Sequence, residues 1–108
     1  MSESGAVDFP SLSWEDDGPG IRARAERAAG SRWAVVAYGA GASREEWCTD
    51  GHRGYVLEGS IEYEFEDGSP PLVLREGQGF LLGTDTGHRG RNLSEGTTRI
   101  FLIDDPGR

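Results

Sequence analysis

The chain has 108 residues and a formal net charge of −8 at pH 7, a length that fits one domain with one hydrophobic core. The acidic excess argues against binding to nucleic acid or to an anionic membrane surface, because both are negatively charged. The absence of lysine excludes Schiff-base chemistry. A single cysteine excludes an internal disulfide, and no apolar run is long enough to span a membrane, so we expect a cytoplasmic protein.

Residues 1–20 are rich in small and polar types without periodicity, which predicts an N-terminal arm ahead of a β domain at residues 21–108. The large apolar residues of the arm include Phe9, Leu12 and Trp14. Such residues in a polar segment are typical of a short early strand or of a segment exchanged with a partner. A frayed tail fits the composition equally well.

From residue 21 onward the pattern is that of short strands. Polar Arg22, Arg24 and Glu26 alternate with apolar residues, and glycine at position 30 bounds the segment, which favours a strand although propensity alone also allows a helix. Further strands are predicted at residues 32–38, 60–66, 72–75, 79–82 and 98–103. Short strands about ten residues apart, separated by Gly and Asp, predict an all-β sandwich or barrel.

The chain has only two histidines and one cysteine, and two of these three, Cys48 and His52, lie close together and close to Glu46. In an extended strand Glu46 and Cys48 point to the same face, and a carboxylate buried there needs a compensating charge such as a divalent cation. His88, the other histidine, would come from another strand. On spacing alone, a lone cysteine in a β-rich chain is more often a small buried hydrophobe.

Two segments resemble the sequence motifs of the cupin superfamily: residues 46–59 (EWCTDGHRGYVLEG) and residues 77–92 (GQGFLLGTDTGHRGRN). In the first motif two ligand positions are separated by one residue, a third ligand follows, and a glycine comes after six intervening residues, here Gly59. The glycine, histidine and asparagine positions of the second motif are occupied by Gly77, His88 and Asn92. The resemblance implies a double-stranded β-helix, the jelly-roll cupin barrel, with about eight to ten strands.

The resemblance also implies one divalent metal ion inside the barrel. Cupins usually present His, His, Glu and His, and the corresponding positions here hold Glu46, Cys48, His52 and His88. A thiolate with imidazoles suits Zn²⁺, with Fe²⁺, Ni²⁺ or Cu as further possibilities. If all four residues bind the ion it is structural, whereas a loose Glu46 leaves an open position for chemistry.

Several side chains are expected around this site. Tyr38, Arg53 and Tyr63 are the polar candidates at the mouth of a pocket. Arg89 and Arg91 are expected to face outward and pair with acidic side chains. The apolar lining of the interior is predicted to comprise Trp33, Val35, Tyr38, Tyr55, Tyr63, Phe80, Leu82 and Phe101.

Three functions follow from the resemblance, because the fold by itself does not choose between them. The favoured one is a metal-dependent enzyme that acts on a small organic molecule, with the metal as Lewis acid. The alternatives are a non-enzymatic domain that binds or senses a small ligand, and a metal-stabilised structural domain without turnover. Small cupins commonly dimerise, so we also expect a homodimer.

Overall fold

A computed structural model describes residues 4–105, which contain nine β-strands and one turn of 3-10 helix at Phe9–Ser11. In chain order the strands are β1 Glu15–Gly18, β2 Ile21–Ala28, β3 Ser31–Tyr38, β4 Gly51–Glu58, β5 Ser60–Phe65, β6 Leu72–Arg75, β7 Gly79–Leu82, β8 His88–Asn92 and β9 Thr98–Asp105. The all-β prediction is confirmed. Within the described range, no helix has the length and apolar character to cross a membrane.

The strands form two antiparallel sheets. The six-stranded sheet has the order β1-β2-β3-β9-β4-β7, and the three-stranded sheet has the order β6-β5-β8. The connection between β3 and β4, residues 39–50, reaches the three-stranded sheet, where Ser43 pairs with Arg91 and Cys48 pairs with His88. This connection therefore brings residues that precede β4 against β8.

The core lies between the sheets and is built from alternate residues of each strand. On β3 these are Ala34, Val36 and Tyr38, which are all at most 2% exposed. The buried members of the other strands include Ile61, Tyr63, Phe80, Leu82, Ile100 and Leu102. Four of the predicted interior residues, Tyr38, Tyr63, Phe80 and Leu82, therefore face the core.

The other four predicted interior residues do not face the space between the sheets, although Val35 is buried at 6% exposure. Trp33 and Val35 lie on the opposite face of β3, because side chains alternate along a strand and Ala34 and Val36 point inward. Trp33 instead packs edge-on against Phe101, with ring centroids 6.0 Å apart, on the outer face of the six-stranded sheet. Tyr55 is 45% exposed.

The described part of the N-terminal segment packs on the same chain. Strand β1 pairs with β2, and the guanidinium of Arg24 lies 4.5 Å from the ring centre of Trp14. Phe9 packs edge-on against Phe101, with ring centroids 5.9 Å apart. An early strand thus forms within residues 4–20, and it covers part of the outer face of the large sheet.

Candidate metal centre

Two strands from different sheets each present a histidine to the interior, and both histidines begin the same tripeptide, His-Arg-Gly. His52 lies on β4 of the six-stranded sheet and His88 on β8 of the three-stranded sheet. In each tripeptide the histidine is buried, the arginine points to the other face, and the glycine returns to the inner face. A Cβ at Gly90 would lie 3.0 Å from Tyr63 Cε1, so this glycine leaves room for a tyrosine ring.

Cys48 reaches the same place by a different route from the one predicted. Residues 46–48 do not form a strand, since the chain bends at Glu46 and the residue between Glu46 and Cys48 is unpaired. Cys48 is held instead by two backbone hydrogen bonds with His88, each 2.9 Å long, one from the N–H of each residue to the carbonyl oxygen of the other. This short bridge is what puts the thiol beside the second histidine.

Cys48, His52 and His88 bring three ligand atoms within 4.8 Å of one another. The Sγ of Cys48 lies 3.7 Å from Nε2 of His52, close to the roughly 3.5 Å expected between sulfur and nitrogen ligands on a tetrahedral zinc ion. The rings of His52 and His88 have centroids 4.9 Å apart. The donor set, one sulfur and two nitrogens, is one that zinc prefers.

His88 supplies an independent indication that an ion fits here. Its side chain is 2% exposed, and neither ring nitrogen has a hydrogen-bond partner among the residues that the structure describes. A buried polar group without a partner costs about 1 to 3 kcal/mol. A cation between the three side chains would give one of these nitrogens a partner, so the residues present fit a metal.

Glu46, the remaining predicted ligand, is placed differently. Its side chain is solvent-exposed on the wall of the cavity, outside the group of three ligand atoms. The bend at this residue removes the shared strand face on which its prediction as a ligand depended. The structure therefore brings together three of the four predicted ligands.

Asp104 is the residue of the site that the sequence analysis missed. Its Oδ1 lies 2.7 Å from Nδ1 of His52, and its Oδ2 accepts a hydrogen bond of 3.0 Å from Nη1 of Arg32. The predicted strand ended at residue 103, whereas β9 continues to Asp105. Extending the alternation of Thr98, Ile100 and Leu102 by two residues would have placed Asp104 on the inner face.

The charges of the site favour a thiolate and an imidazolium when no cation is bound. The neighbouring imidazoles of His52 and His88 outweigh burial and lower the pKa of the Cys48 thiol to about 6. Burial lowers the pKa of His52, but the carboxylate of Asp104 and the thiolate of Cys48 outweigh it and raise this pKa to about 9. The sulfur is thus already in the form that binds metals.

The three candidate ligand residues lie in the wall of a cavity of about 510 Å³, and Tyr38 and Tyr63 also line it. Burial raises the pKa of both phenols, so both remain protonated and can donate hydrogen bonds. Arg44 Nε donates a hydrogen bond of 3.2 Å to the Tyr38 hydroxyl, and Arg44 Nη2 lies 2.6 Å from a carboxylate oxygen of Asp17. Arg53, the third pocket candidate, is exposed on the other face of β4, away from this cavity.

The outward direction predicted for two arginines is confirmed. Arg91 Nε lies 2.8 Å from Oε1 of Glu62, and Arg89 forms an ion pair with Glu64. The guanidinium of Arg89 also lies 4.0 Å from the ring centre of Trp47. These pairs belong to the outer face of the three-stranded sheet, so the charges of these arginines are balanced locally.

Comparison with solved structures identifies proteins of similar fold. KdgF from Halomonas sp. matches with a TM-score of 0.74 and 24% identity, over 97% of this chain and 96% of that chain. An RmlC-like cupin from Shewanella frigidimarina matches with a TM-score of 0.72 and 22% identity, over 100% and 96%. The polyketide cyclase RemF from Streptomyces resistomycificus matches with a TM-score of 0.76 and 16% identity, over 98% and 81%. No protein-family model and no curated protein matches the chain.

Proposed function

We propose that this chain, which has the fold of small cupins, is a metal-dependent enzyme acting on a small organic molecule. The observation that carries the proposal is the convergence of Cys48, His52 and His88 on a cavity, with the buried ring nitrogens of His88 lacking any partner among the described residues. A bound ion supplies Lewis-acid chemistry, which polarises a carbonyl or lowers the pKa of a water. We favour zinc for this donor set, with iron(II), nickel or copper as the alternatives.

The arrangement of the chain's own residues supports a site with room for a substrate. Three protein ligands leave one position of a tetrahedral ion unfilled, which is the pattern of catalytic zinc sites. The exposed position of Glu46 agrees with this three-ligand arrangement. Tyr38 and Tyr63 supply protonated hydroxyls in the cavity that can orient a carbonyl or hydroxyl oxygen of the substrate.

The thiolate determines which substrates suit the site. A divalent ion that binds Cys48 as a thiolate and two neutral imidazoles has a net charge near +1, because only the sulfur carries charge. The pull on an anionic substrate is therefore weaker than at a site with three histidines. We propose a neutral or weakly anionic polar substrate. RemF, which shares the fold, is a polyketide cyclase, so the fold accommodates enzymes of small organic molecules.

The decisive experiment is metal analysis of the purified protein and its variants. We expect the wild type to bind about one equivalent of zinc, and Cys48→Ala and His88→Ala to bind it at least about 10-fold more weakly. Glu46→Gln should bind as the wild type does, and Thr49→Ala, at an exposed neighbour of Cys48, is the control. Equal metal content in all of these proteins would refute the proposed site. Binding without turnover on any small carbonyl or hydroxyl compound would favour a ligand-binding or structural role.

We also propose a homodimer that forms through the outer face of the six-stranded sheet. This face exposes apolar side chains on β4 and on the edge strand β7, among them Leu81 at 75% and Tyr55 at 45% exposure. An edge strand also offers unpaired backbone groups to a second copy. Leu81→Glu should shift the protein toward monomer in sedimentation experiments, and a wild type that is monomeric at high micromolar concentration would refute the dimer.

We also propose a cytoplasmic location, because a thiolate ligand must remain reduced and the cytoplasm is a reducing compartment.

A further inference from the structure

We infer that Asp104 is the positioning residue of the metal centre, which holds the ring of His52 so that Nε2, and not Nδ1, is the ligand atom. The inference rests on the proposed function. It adds to that function a fourth residue, one that does not bind the ion itself, and it states which atom of His52 binds.

The first step is the contact between the two side chains. Asp104 and His52 are cross-strand partners on β9 and β4, and Oδ1 of Asp104 lies 2.7 Å from Nδ1 of His52. The contact is an ion pair without the direction of a linear hydrogen bond, but a carboxylate this close favours a proton on Nδ1 by charge attraction. The lone pair of the neutral ring then lies on Nε2, the atom 3.7 Å from the sulfur of Cys48.

The second step is that Asp104 is itself held in place. Arg32 is its cross-strand partner on the other side of β9, and Arg32 Nη1 donates to Oδ2 at 3.0 Å. The two oxygens of the carboxylate are thus divided between Arg32 and His52. Turning the carboxylate away from His52 would break the ion pair with Arg32, and the side chain of Asp104 is only 16% exposed, so solvent replaces neither contact easily.

The third step is the contrast with the other histidine. Among the described residues only His52 has a carboxylate at ion-pair distance from a ring nitrogen, whereas neither nitrogen of His88 has a partner and His88 is positioned by its backbone bridge to Cys48. Asp104 therefore acts on one ligand of the three. Partners of this kind fix the tautomer and the ring direction of a metal-binding histidine, and their loss typically weakens metal binding by about 10- to 100-fold.

The test compares zinc affinity, measured by titration calorimetry, in four proteins. Asp104→Ala should bind zinc about 10- to 100-fold more weakly than the wild type. Asp104→Asn should lose less, because its amide oxygen still accepts the Nδ1 hydrogen. Asp85→Asn makes the same charge change at an exposed loop position and should leave the affinity within about twofold of the wild type.

A second measurement distinguishes positioning from a general structural effect. In zinc-loaded wild type, the nitrogen NMR shifts of His52 should show a protonated Nδ1 and a zinc-bound Nε2. A zinc-bound Nδ1 would overturn the inference even if Asp104→Ala fails to fold. A folded Asp104→Ala protein that binds zinc with wild-type affinity would also overturn the inference, provided that the separate Cys48→Ala variant has lost zinc binding. If the wild type itself binds no zinc, the proposed function fails and the inference fails with it.

Discussion

At the scale of single residues, the site depends on what alternation along a strand does to three consecutive side chains. In both His-Arg-Gly tripeptides the histidine enters the interior, the arginine leaves it, and the glycine leaves room on the inner face for a neighbouring ring. At β4 the neighbour is Phe80, and at β8 the neighbours include Tyr63. The small size of the third residue is therefore as much a requirement of the site as the imidazole of the first.

The only cysteine of the chain gives a direct chemical readout of the site. Cys48 is partly exposed, and its pKa of about 6 makes it a thiolate at neutral pH in the metal-free protein. We expect iodoacetamide to alkylate it readily, and saturating zinc to slow the reaction by about tenfold, because a bound thiolate is no longer a free nucleophile. Mass spectrometry after timed quenching measures the rate. Alkylation at the same rate with and without zinc would contradict a sulfur ligand.

Gly54 should tolerate no side chain. A Cβ at this position would lie 2.5 Å from Cζ of Phe80 and 2.6 Å from the carbonyl oxygen of Phe101, and the second of these is backbone of β9. We expect Gly54→Ala to lower the free energy of unfolding by about 1 to 3 kcal/mol, measured by urea denaturation. Gly83→Ala is the matched control, because nothing lies within 4 Å of its Cβ, and it should unfold as the wild type does.

At the scale of elements, one buried amide joins β8 to the ends of β3 and β9. Asn92 Nδ2 donates to the carbonyl oxygens of Tyr38, Gly39 and Gly96 at 3.0, 2.9 and 2.7 Å, with at least one hydrogen shared. Its Oδ1 accepts from the hydroxyl of Thr98 at 2.7 Å. Asn92 is 7% exposed, so water does not replace these bonds. The asparagine of the second motif thus has a structural explanation in this protein.

Removing this amide should be costly. Asn92→Ala leaves several buried carbonyls and the hydroxyl of Thr98 without a partner, and we expect a loss of about 2 to 4 kcal/mol in the free energy of unfolding. Gln78→Ala removes an amide that accepts a single exposed bond, from the N–H of Arg75, and should cost less than about 1 kcal/mol. Chemical denaturation of both variants makes the comparison. Equal losses of unfolding free energy in the two variants would show that the hydrogen bonds of Asn92 do not contribute more to stability than the single bond of Gln78.

At the scale of the whole molecule, the candidate centre lies where the two sheets meet. His52 belongs to the six-stranded sheet, His88 to the three-stranded sheet, and Cys48 to the connection that crosses between them. A single ion bound by all three would link parts of the chain that are otherwise joined by core packing and loops. If the site binds a metal, binding and fold stability are therefore coupled.

This coupling predicts that zinc raises the melting temperature. At a free zinc concentration 100 times the Kd, the stabilisation is about 2.7 kcal/mol, which for a domain of this size is a rise of roughly 10 °C or more. A chelator should reverse the rise, and Cys48→Ala should show little of it in the same thermal scan. The same rise in Cys48→Ala as in the wild type would place the stabilising ion elsewhere.

The strand pattern and two residues of the candidate metal site were predictable from sequence because they depend on neighbours along the chain. The alternation of residues 60–66 predicted β5, and the cupin-like spacing around His52 and His88 indicated their partnership. Prediction from the local strand pattern was wrong at two places. It assumed a strand at Glu46, where the chain bends, and it ended the last strand one residue before Asp104.

What the sequence by itself predicted correctly is the all-β fold, its likeness to cupins, and three residues that the structure brings together as candidate ligands, Cys48, His52 and His88. Only the tertiary structure decided that Asp104 lies between Arg32 and His52, that Trp33 lies outside the core, and that Cys48 reaches His88 through a bridge instead of a strand. The physical reason is that side-chain direction along one strand is a local property of the backbone. Contact across strands depends on which distant segments pair and in what register.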